Sequence, residues 1–190
     1  MRTLIVYATR EGQAKRVAEH VTRRLQDDGA TVDLRDAARV EPALDPRAYD
    51  AAILVASVHL GRHEKEMVEF VRSHREALDA VPTAFLSVCL TEATVEDETQ
   101  PAERREEAKR EIVHMLEAFY AATTWRPTLA APIAGALRYT KYGWLVRHLM
   151  GRIAAKQGAP TDVTRDFELT DWAALDRFID GWFSERRTAA

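Results

Sequence analysis

Six consecutive residues near the amino terminus have the composition and the position of an anion-binding loop. They are Thr9, Arg10, Glu11, Gly12, Gln13 and Ala14, and they join an apolar run to a helical pattern. Backbone N–H groups at the start of a helix can bind an anion, aided by the helix dipole. Thr9 and Gln13 can donate further hydrogen bonds, and Gly12 permits a positive φ and a close backbone approach. The segment matches neither a dinucleotide-binding loop nor a P-loop, so a plain strand-to-helix turn capped by Thr9 stays open as an alternative.

A second polar segment follows another apolar run and contains a histidine. Its residues are Ser57, Val58, His59, Leu60 and Gly61, with a second histidine, His63, close behind. Gly61 permits a sharp turn, and the two imidazoles can hydrogen-bond a planar ligand. Both are weak metal candidates, because no third ligand stands at a supporting spacing. The simpler interpretation is that each histidine is structural, with His63 capping the next helix.

The third segment opens at Cys89 and Leu90, where a further apolar run ends. Cys89 is the single cysteine of the chain, which excludes an intramolecular disulfide and fits a reducing compartment. A nucleophilic cysteine needs a lowered pKa, and no basic residue stands beside Cys89 in the sequence. A buried packing cysteine is therefore favoured, and no side chain in the sequence is assigned as catalytic.

Strand-like and helix-like segments alternate along the chain and place these three segments. β-Branched apolar runs, typical of strands buried on both faces, occur at 3–8, 31–35, 51–56, 83–90 and within 128–137. Helical spacing occurs at about 14–25, 64–78, 104–120, 142–156 and 171–186. This rhythm predicts an α/β fold: a doubly wound, five-stranded parallel sheet of order 2-1-3-4-5 with helices on both faces. Ligands of such sheets bind beyond the carboxyl ends of the strands, where the three segments lie.

Local signals predict where some of these elements begin and end. Gly29 is placed to end the first helix, and Thr170 and Asp171 are placed to cap the last one. Residues 91–103 are polar and acidic, which predicts a long exposed loop.

Length and composition bound the class of protein. The chain has 190 residues, of which 46% are hydrophobic and 30% charged, so we expect a single globular domain over 1–190. A net charge of −3 argues against nucleic acid as the main partner. The apolar run at 4–8 is shorter than a signal-peptide core, and no uncharged apolar run is long enough to span a bilayer. A cytoplasmic protein is expected.

Charge is distributed unevenly late in the chain. Residues 92–117 hold nine acids and four bases, whereas residues 118–161 hold no acid and six bases. Within the second block, residues 138–156 form a basic amphipathic segment. Such a segment can lie on an anionic bilayer, here the inner face of the cell membrane, or hold an acidic ligand such as a carboxylated porphyrin. A core helix with solvated bases on its outer face is the alternative.

Phosphoacceptor receiver domains share this sheet order, but the chemistry excludes them. A receiver needs an acidic pair after the first strand and an aspartate at the end of the third. The chain has Ala8 and Thr9 at the first place, and Ala56 and Ser57 at the second.

Taken together, the motifs resemble one family. The segments TLIVYATREGQ (3–13), ASVHLGRH (56–63), AFLSVCL (84–90), WRP (125–127), IAGALRYTKYGW (133–144) and TDW (170–172) resemble the flavodoxin-like, menaquinone-dependent protoporphyrinogen IX dehydrogenases. The matches run in order through nearly the whole chain. IAGALRY is the most specific of them, because ordinary flavodoxins lack it.

The resemblance implies a bound FMN, a quinone acceptor at the membrane, and a porphyrinogen substrate. It places the FMN phosphate on residues 9–14 and the flavin ring between residues 57–61 and the segment that opens at Cys89. The chain departs from the expected pattern in two places. Leu60 stands where an aromatic residue would suit a flavin, and residues 92–98 are acidic where a neutral or basic loop is expected.

Two other functions stay open on the sequence alone. A flavodoxin that only carries electrons would have no substrate pocket and would use an acidic docking face, which residues 92–98 can supply. A binding module that has lost its flavin is the third. The sequence leaves the oligomeric state open.

Overall fold

The computed structural model describes residues 1–41, 43–137, 162 and 164–189, with the side chains of the last helix described through residue 185. Its strands are β1 (Arg2–Ala8), β2 (Thr31–Asp36), β3 (Ala51–His59), β4 (Arg62–His63), β5 (Thr83–Cys89), β6 (Leu129–Ala134), β7 (Ala136–Leu137) and β8 (Phe167–Glu168). Its α-helices are α1 (Gln13–Asp27), α2 (Lys65–Asp79), α3 (Thr91–Glu96), α4 (Ala102–Thr123) and α5 (Trp172–Ala189). Two short 3₁₀ turns lie at Ala37–Arg39 and Pro46–Ala48.

Five parallel strands form the central sheet in the order β2-β1-β3-β5-β6. This is the predicted order 2-1-3-4-5, counted over the long strands. The short β4 turns back antiparallel onto the end of β3, and β7 and β8 form a separate antiparallel pair. The order reverses between β1 and β3, so the loops that follow these two strands open a crevice at the carboxyl edge of the sheet.

The helices cover both faces of the sheet, as predicted. On one face, the apolar sides of α1 and α5 pack on alternate residues of β1, β3 and β5, with Leu25, Ile179 and Trp182 almost fully buried. On the other face, α2 and α4 pack on the intervening residues, through Met67 and Phe119 among others. Every residue of β5 is buried, which explains its nearly continuous apolar sequence.

Two of the predicted helix boundaries are confirmed. Gly29 has a φ of 83° just beyond α1, the left-handed conformation that ends helices. Asp171 caps α5, because its side chain accepts a hydrogen bond from the N–H of Ala174 at 2.9 Å. Thr170 does not cap this helix and instead bonds to the sheet through its hydroxyl.

The exposed loop predicted over residues 91–103 is wrong in its first half. Residues Thr91–Glu96 form helix α3, and only the five residues between α3 and α4 are non-helical. The buried positions of this helix are two threonines, Thr91 and Thr94. A helix whose buried positions are hydroxyl-bearing shows no apolar stripe, so its sequence is typical of a loop. The basic segment 138–156 and its predicted helix lie outside the described residues.

Candidate functional site

The three segments singled out in the sequence meet at the carboxyl edge of the sheet. They surround a cavity of about 60 Å³, with room for a few water molecules. Its lining consists of Thr9, Arg10, Glu11, Gln13, Ser57, Val58, His59, Glu64, Val88, Cys89, Leu90, Gly135 and Ala136. Nine of the predicted site residues are in that lining. The other four, Gly12, Ala14, Leu60 and Gly61, belong to the same loops.

The loop after β1 has the geometry of an anion-binding turn. Gly12 has a φ of 94° and stands at the start of α1, and its N–H donates to Oγ1 of Thr9 at 2.9 Å. No side chain caps α1 in the described part of the chain. The start of α1 therefore has no side-chain cap beside the positive end of the helix dipole, an arrangement that favours a nearby anion. The Thr9 hydroxyl closes the loop by accepting from the Gly12 N–H but does not cap α1, so the alternative of a helix capped by Thr9 is wrong.

The Gln13 side chain does not serve the anion loop. Its amide Nε2 donates to Oε1 of Glu168 at 2.6 Å and to Oγ1 of Thr170 at 2.9 Å, and Thr170 in turn donates to the carbonyl of Ala134. These bonds tie α1 to β8 and to the end of β6. Because Glu168 and Thr170 both accept from this amide, the predicted donation by the Gln13 side chain to a ligand is wrong.

A tight hairpin forms the second side of the cavity. β3 extends beyond the sheet and pairs with β4, with Val58 opposite His63 and His59 opposite Arg62. The two residues of the turn, Leu60 and Gly61, have φ values of 49° and 75°. Such a two-residue turn requires positive φ at both positions, which glycine and asparagine adopt readily and leucine does not. Leu60 is also 76% exposed, an unfavourable place for an apolar side chain.

His63 anchors this hairpin in the core. Its Nε2 lies 2.9 Å from Oγ of Ser87, and its ring packs against Phe85 and Phe119. Burial lowers the pKa of His63 to about 4, so the imidazole is neutral at physiological pH. The predicted helix cap is wrong, because α2 begins after Glu64 without a side-chain cap. Among the described residues no group of three or more metal-ligating side chains exists.

Cys89 forms part of the third side and is a packing residue, as favoured from the sequence. It is buried with Ile112 and Met115, and burial raises the pKa of its thiol to about 12. A thiol with such a pKa holds almost no thiolate at neutral pH, so Cys89 is not a nucleophile. Its carbonyl accepts a hydrogen bond from the N–H of Gly135 at 3.0 Å, which brings the end of β6 to the cavity.

Two glutamates line the cavity, Glu11 and Glu64, and sequence reasoning did not find Glu64. Glu64 is only 5% exposed, and its Oε2 lies 3.3 Å from the guanidinium of Arg10, whose side chain is 55% exposed. Its other oxygen, Oε1, is buried without a hydrogen-bond partner in the described part of the chain, and so is Oγ of Ser57. The hairpin creates this placement, because it returns the chain so that the N–H of Glu64 bonds to the carbonyl of Ser57. A two-residue turn predicted at Leu60 and Gly61 would have been the signal.

Comparison with known proteins agrees with this architecture. Residues 4–164 match the family model described as a flavodoxin domain. Over 180 residues the chain is 31% identical to protoporphyrinogen IX dehydrogenase (quinone) of Escherichia coli K12, covering 94% of this chain and 92% of that protein. The Leishmania major protein of the same name is 30% identical over 92% of this chain and 71% of its own length. Among solved structures, a short-chain flavodoxin associated with a PDU bacterial microcompartment superposes over 98% of this chain and 99% of its own, with a TM-score of 0.54 and 14% identity.

Proposed function

The chain belongs to the flavodoxin-domain family and, within it, to the protoporphyrinogen IX dehydrogenases (quinone), and from that premise we propose that it is an FMN-dependent enzyme that oxidises protoporphyrinogen IX with a quinone as acceptor. The observation that carries the proposal is the joint position of the anion loop and the hairpin. Both line one cavity at the point where the strand order reverses.

The residues of the cavity fit FMN as a chemical group. The uncapped start of α1 offers N–H groups to a phosphate, and one such loop suits the single phosphate of FMN. The two oxygens without partners, on Ser57 and Glu64, fit a ligand that carries hydroxyl groups. FMN, when bound, supplies the acceptance of electrons and hydrogen from the substrate.

The protein's own contribution is binding, orientation and exclusion of water. Residues 9–14 would hold the phosphate through backbone N–H groups. Residues 57–61 and the segment at Cys89 and Leu90 would flank the flavin. His63 and Cys89 are excluded as acid–base or nucleophilic groups by their buried environments and shifted pKa values. Neither side chain is therefore assigned a chemical role in the oxidation of the substrate.

A quinone acceptor implies that the protein acts near a lipid surface. No helix among the described residues is long and apolar enough to cross a membrane. We propose peripheral contact with anionic lipid through the basic segment 138–156. Replacing Arg147, Arg152 and Lys156 together by Gln is expected to weaken binding to anionic vesicles about a hundredfold at low salt, at about 1 kcal/mol per base. Vesicle sedimentation measures this binding. Wild-type protein that does not bind anionic vesicles at low salt would contradict the proposed membrane contact.

Two measurements on purified protein test the function. Release and identification of the cofactor should give FMN rather than FAD. Turnover with protoporphyrinogen and a menaquinone analogue should then give porphyrin at a rate far above that of free FMN. Bound FMN without turnover would identify an electron carrier instead. Failure to bind any flavin would overturn the proposal as a whole.

A further inference from the structure

Glu64 places a buried negative charge beside a site proposed for a phosphate. The two negative groups would repel each other, so the presence of this carboxylate calls for an explanation. The side chain is 5% exposed and lines the cavity. A buried carboxylate is costly unless its oxygens accept hydrogen bonds, and only Oε2 has a partner, Arg10, at 3.3 Å. Oε1 has none among the described residues.

Helix geometry does not account for the carboxylate. Glu64 precedes the first residue of α2, yet its side chain makes no capping hydrogen bond. Its backbone fulfils the structural tasks of this position, because the carbonyl accepts from the N–H groups of Met67 and Val68, and the N–H donates to Ser57. The structural role of residue 64 is therefore filled by its backbone groups alone, and this role does not explain why its side chain is charged.

The unpartnered oxygens define the chemistry of the missing partner. An ionised carboxylate oxygen only accepts hydrogen bonds, so Oε1 requires a donor. Oγ of Ser57, which can donate or accept, lines the same cavity and is also unpartnered. A neighbouring carboxylate and hydroxyl form a pair that suits a chain of hydroxyl groups. The anion loop lies in the same cavity lining, through Thr9, Arg10 and Glu11.

We infer that Glu64 accepts a hydrogen bond from a hydroxyl of the polyol chain that joins the phosphate of the cofactor to its ring, and so selects a ligand that carries this polyol. This inference rests on the proposed FMN site. Arg10 holds Oε2, which fixes the carboxylate and offsets its charge toward the phosphate. Glu64 is then a cofactor-selecting residue, while the reacting part of the flavin lies elsewhere.

Three flavins separate the contributions of the ligand. Riboflavin has the polyol without the phosphate, lumiflavin has the ring without either, and FMN has all three parts. Replacing Glu64 by Leu removes the acceptor, and it is expected to lower riboflavin affinity about ten- to a hundredfold. Lumiflavin affinity should stay within about twofold. FMN should lose less than riboflavin, because the same substitution removes a negative charge near the phosphate.

Flavin fluorescence titrations of cofactor-free protein measure these affinities, and Glu69→Leu on the exposed face of α2 is the matched control. Melting curves are the check that both variants fold, which we expect because Leu at position 64 replaces a buried charge and Glu69 is exposed. Equal losses for riboflavin and lumiflavin would place the donor on the ring and overturn the inference. Unchanged riboflavin affinity in Glu64→Leu would also overturn it, while FMN binding by wild type would keep the proposed function intact. Wild-type protein that binds no flavin would overturn both.

Discussion

The two main sides of the cavity are built in different ways. The loop at 9–14 offers backbone N–H groups, and its shape depends on one positive φ at Gly12 and one internal hydrogen bond to Thr9. The hairpin at 57–64 offers side chains, and it holds Leu60 in an unfavourable conformation at its exposed tip. On the proposed function, the first side would bind any anion of suitable size, and selection among ligands would be a property of the second side.

The largest expected effect is the acid sensitivity of the hairpin's anchor. The folded pKa of His63, about 4, lies below its unfolded value of 6.5. The unfolded chain therefore takes up the proton first, and stability is lost as pH falls from about 6.5 to 4, by about 3 kcal/mol in total. Denaturant unfolding at a series of pH values measures this loss.

The variant His63→Gln is expected to flatten that pH dependence, at the cost of ring packing at every pH. His74→Gln on α2 is the control, because His74 bonds to the carbonyl of Phe70 on its own helix. The account is contradicted if His63→Gln keeps the full loss of stability on acidification.

The second effect concerns the anion loop. Gly12 and Gly29 both have positive φ, and a Cβ added at either would meet no atom within 4 Å. Alanine therefore costs about 1 kcal/mol of backbone strain at each position and nothing from steric contact. Gly12→Ala is expected to weaken FMN binding about tenfold, whereas Gly29→Ala should lower the melting temperature with FMN affinity unchanged. Equal FMN affinity in the two variants would place the phosphate elsewhere.

The third effect concerns the tip of the hairpin. Leu60→Asn creates the Asn-Gly pair that two-residue hairpin turns prefer and removes an exposed apolar side chain. We expect the free energy of unfolding to rise by about 0.5–1 kcal/mol, measured by denaturant titration. If the Leu60 side chain contacts a ligand, turnover of the variant should fall although its stability rises. A variant that gains neither stability nor a change in turnover would show that the turn carries no strain.

The smallest effect lies in α3, the helix that directly follows the third side of the cavity. Burial raises the pKa of Glu92 to about 7, and the charge of Glu96 adds to the shift. The folded state thus disfavours the ionised form, so stability falls as pH rises from about 4.5 to 7. Glu92→Gln should raise stability above pH 7 by about 0.5–1 kcal/mol, once solvent screening of this partly exposed group is allowed for. Melting curves at pH 5 and pH 8 test this, with the exposed Glu98→Gln as the control. A gain of equal size at both pH values would contradict the assignment.

The sequence predicted the elements whose signals are local. The order of the long strands follows from five apolar runs and the helices between them, and the turn that opens α1 follows from Gly12. The direction of the Gln13 side chain could not be predicted, because its partners Glu168 and Thr170 are more than 150 residues away. Helix α3 was missed because its buried face is made of threonines. Glu64 was missed because its burial depends on the hairpin that precedes it.

The crystal structure of the protein with FMN bound is the most direct test of the central claim. We expect the phosphate within hydrogen-bond distance of the N–H groups that open α1 at Gln13 and Ala14, and the polyol chain beside Ser57 and Glu64. A phosphate bound away from residues 9–14, or a flavin outside the cavity between that loop and the hairpin, would contradict it.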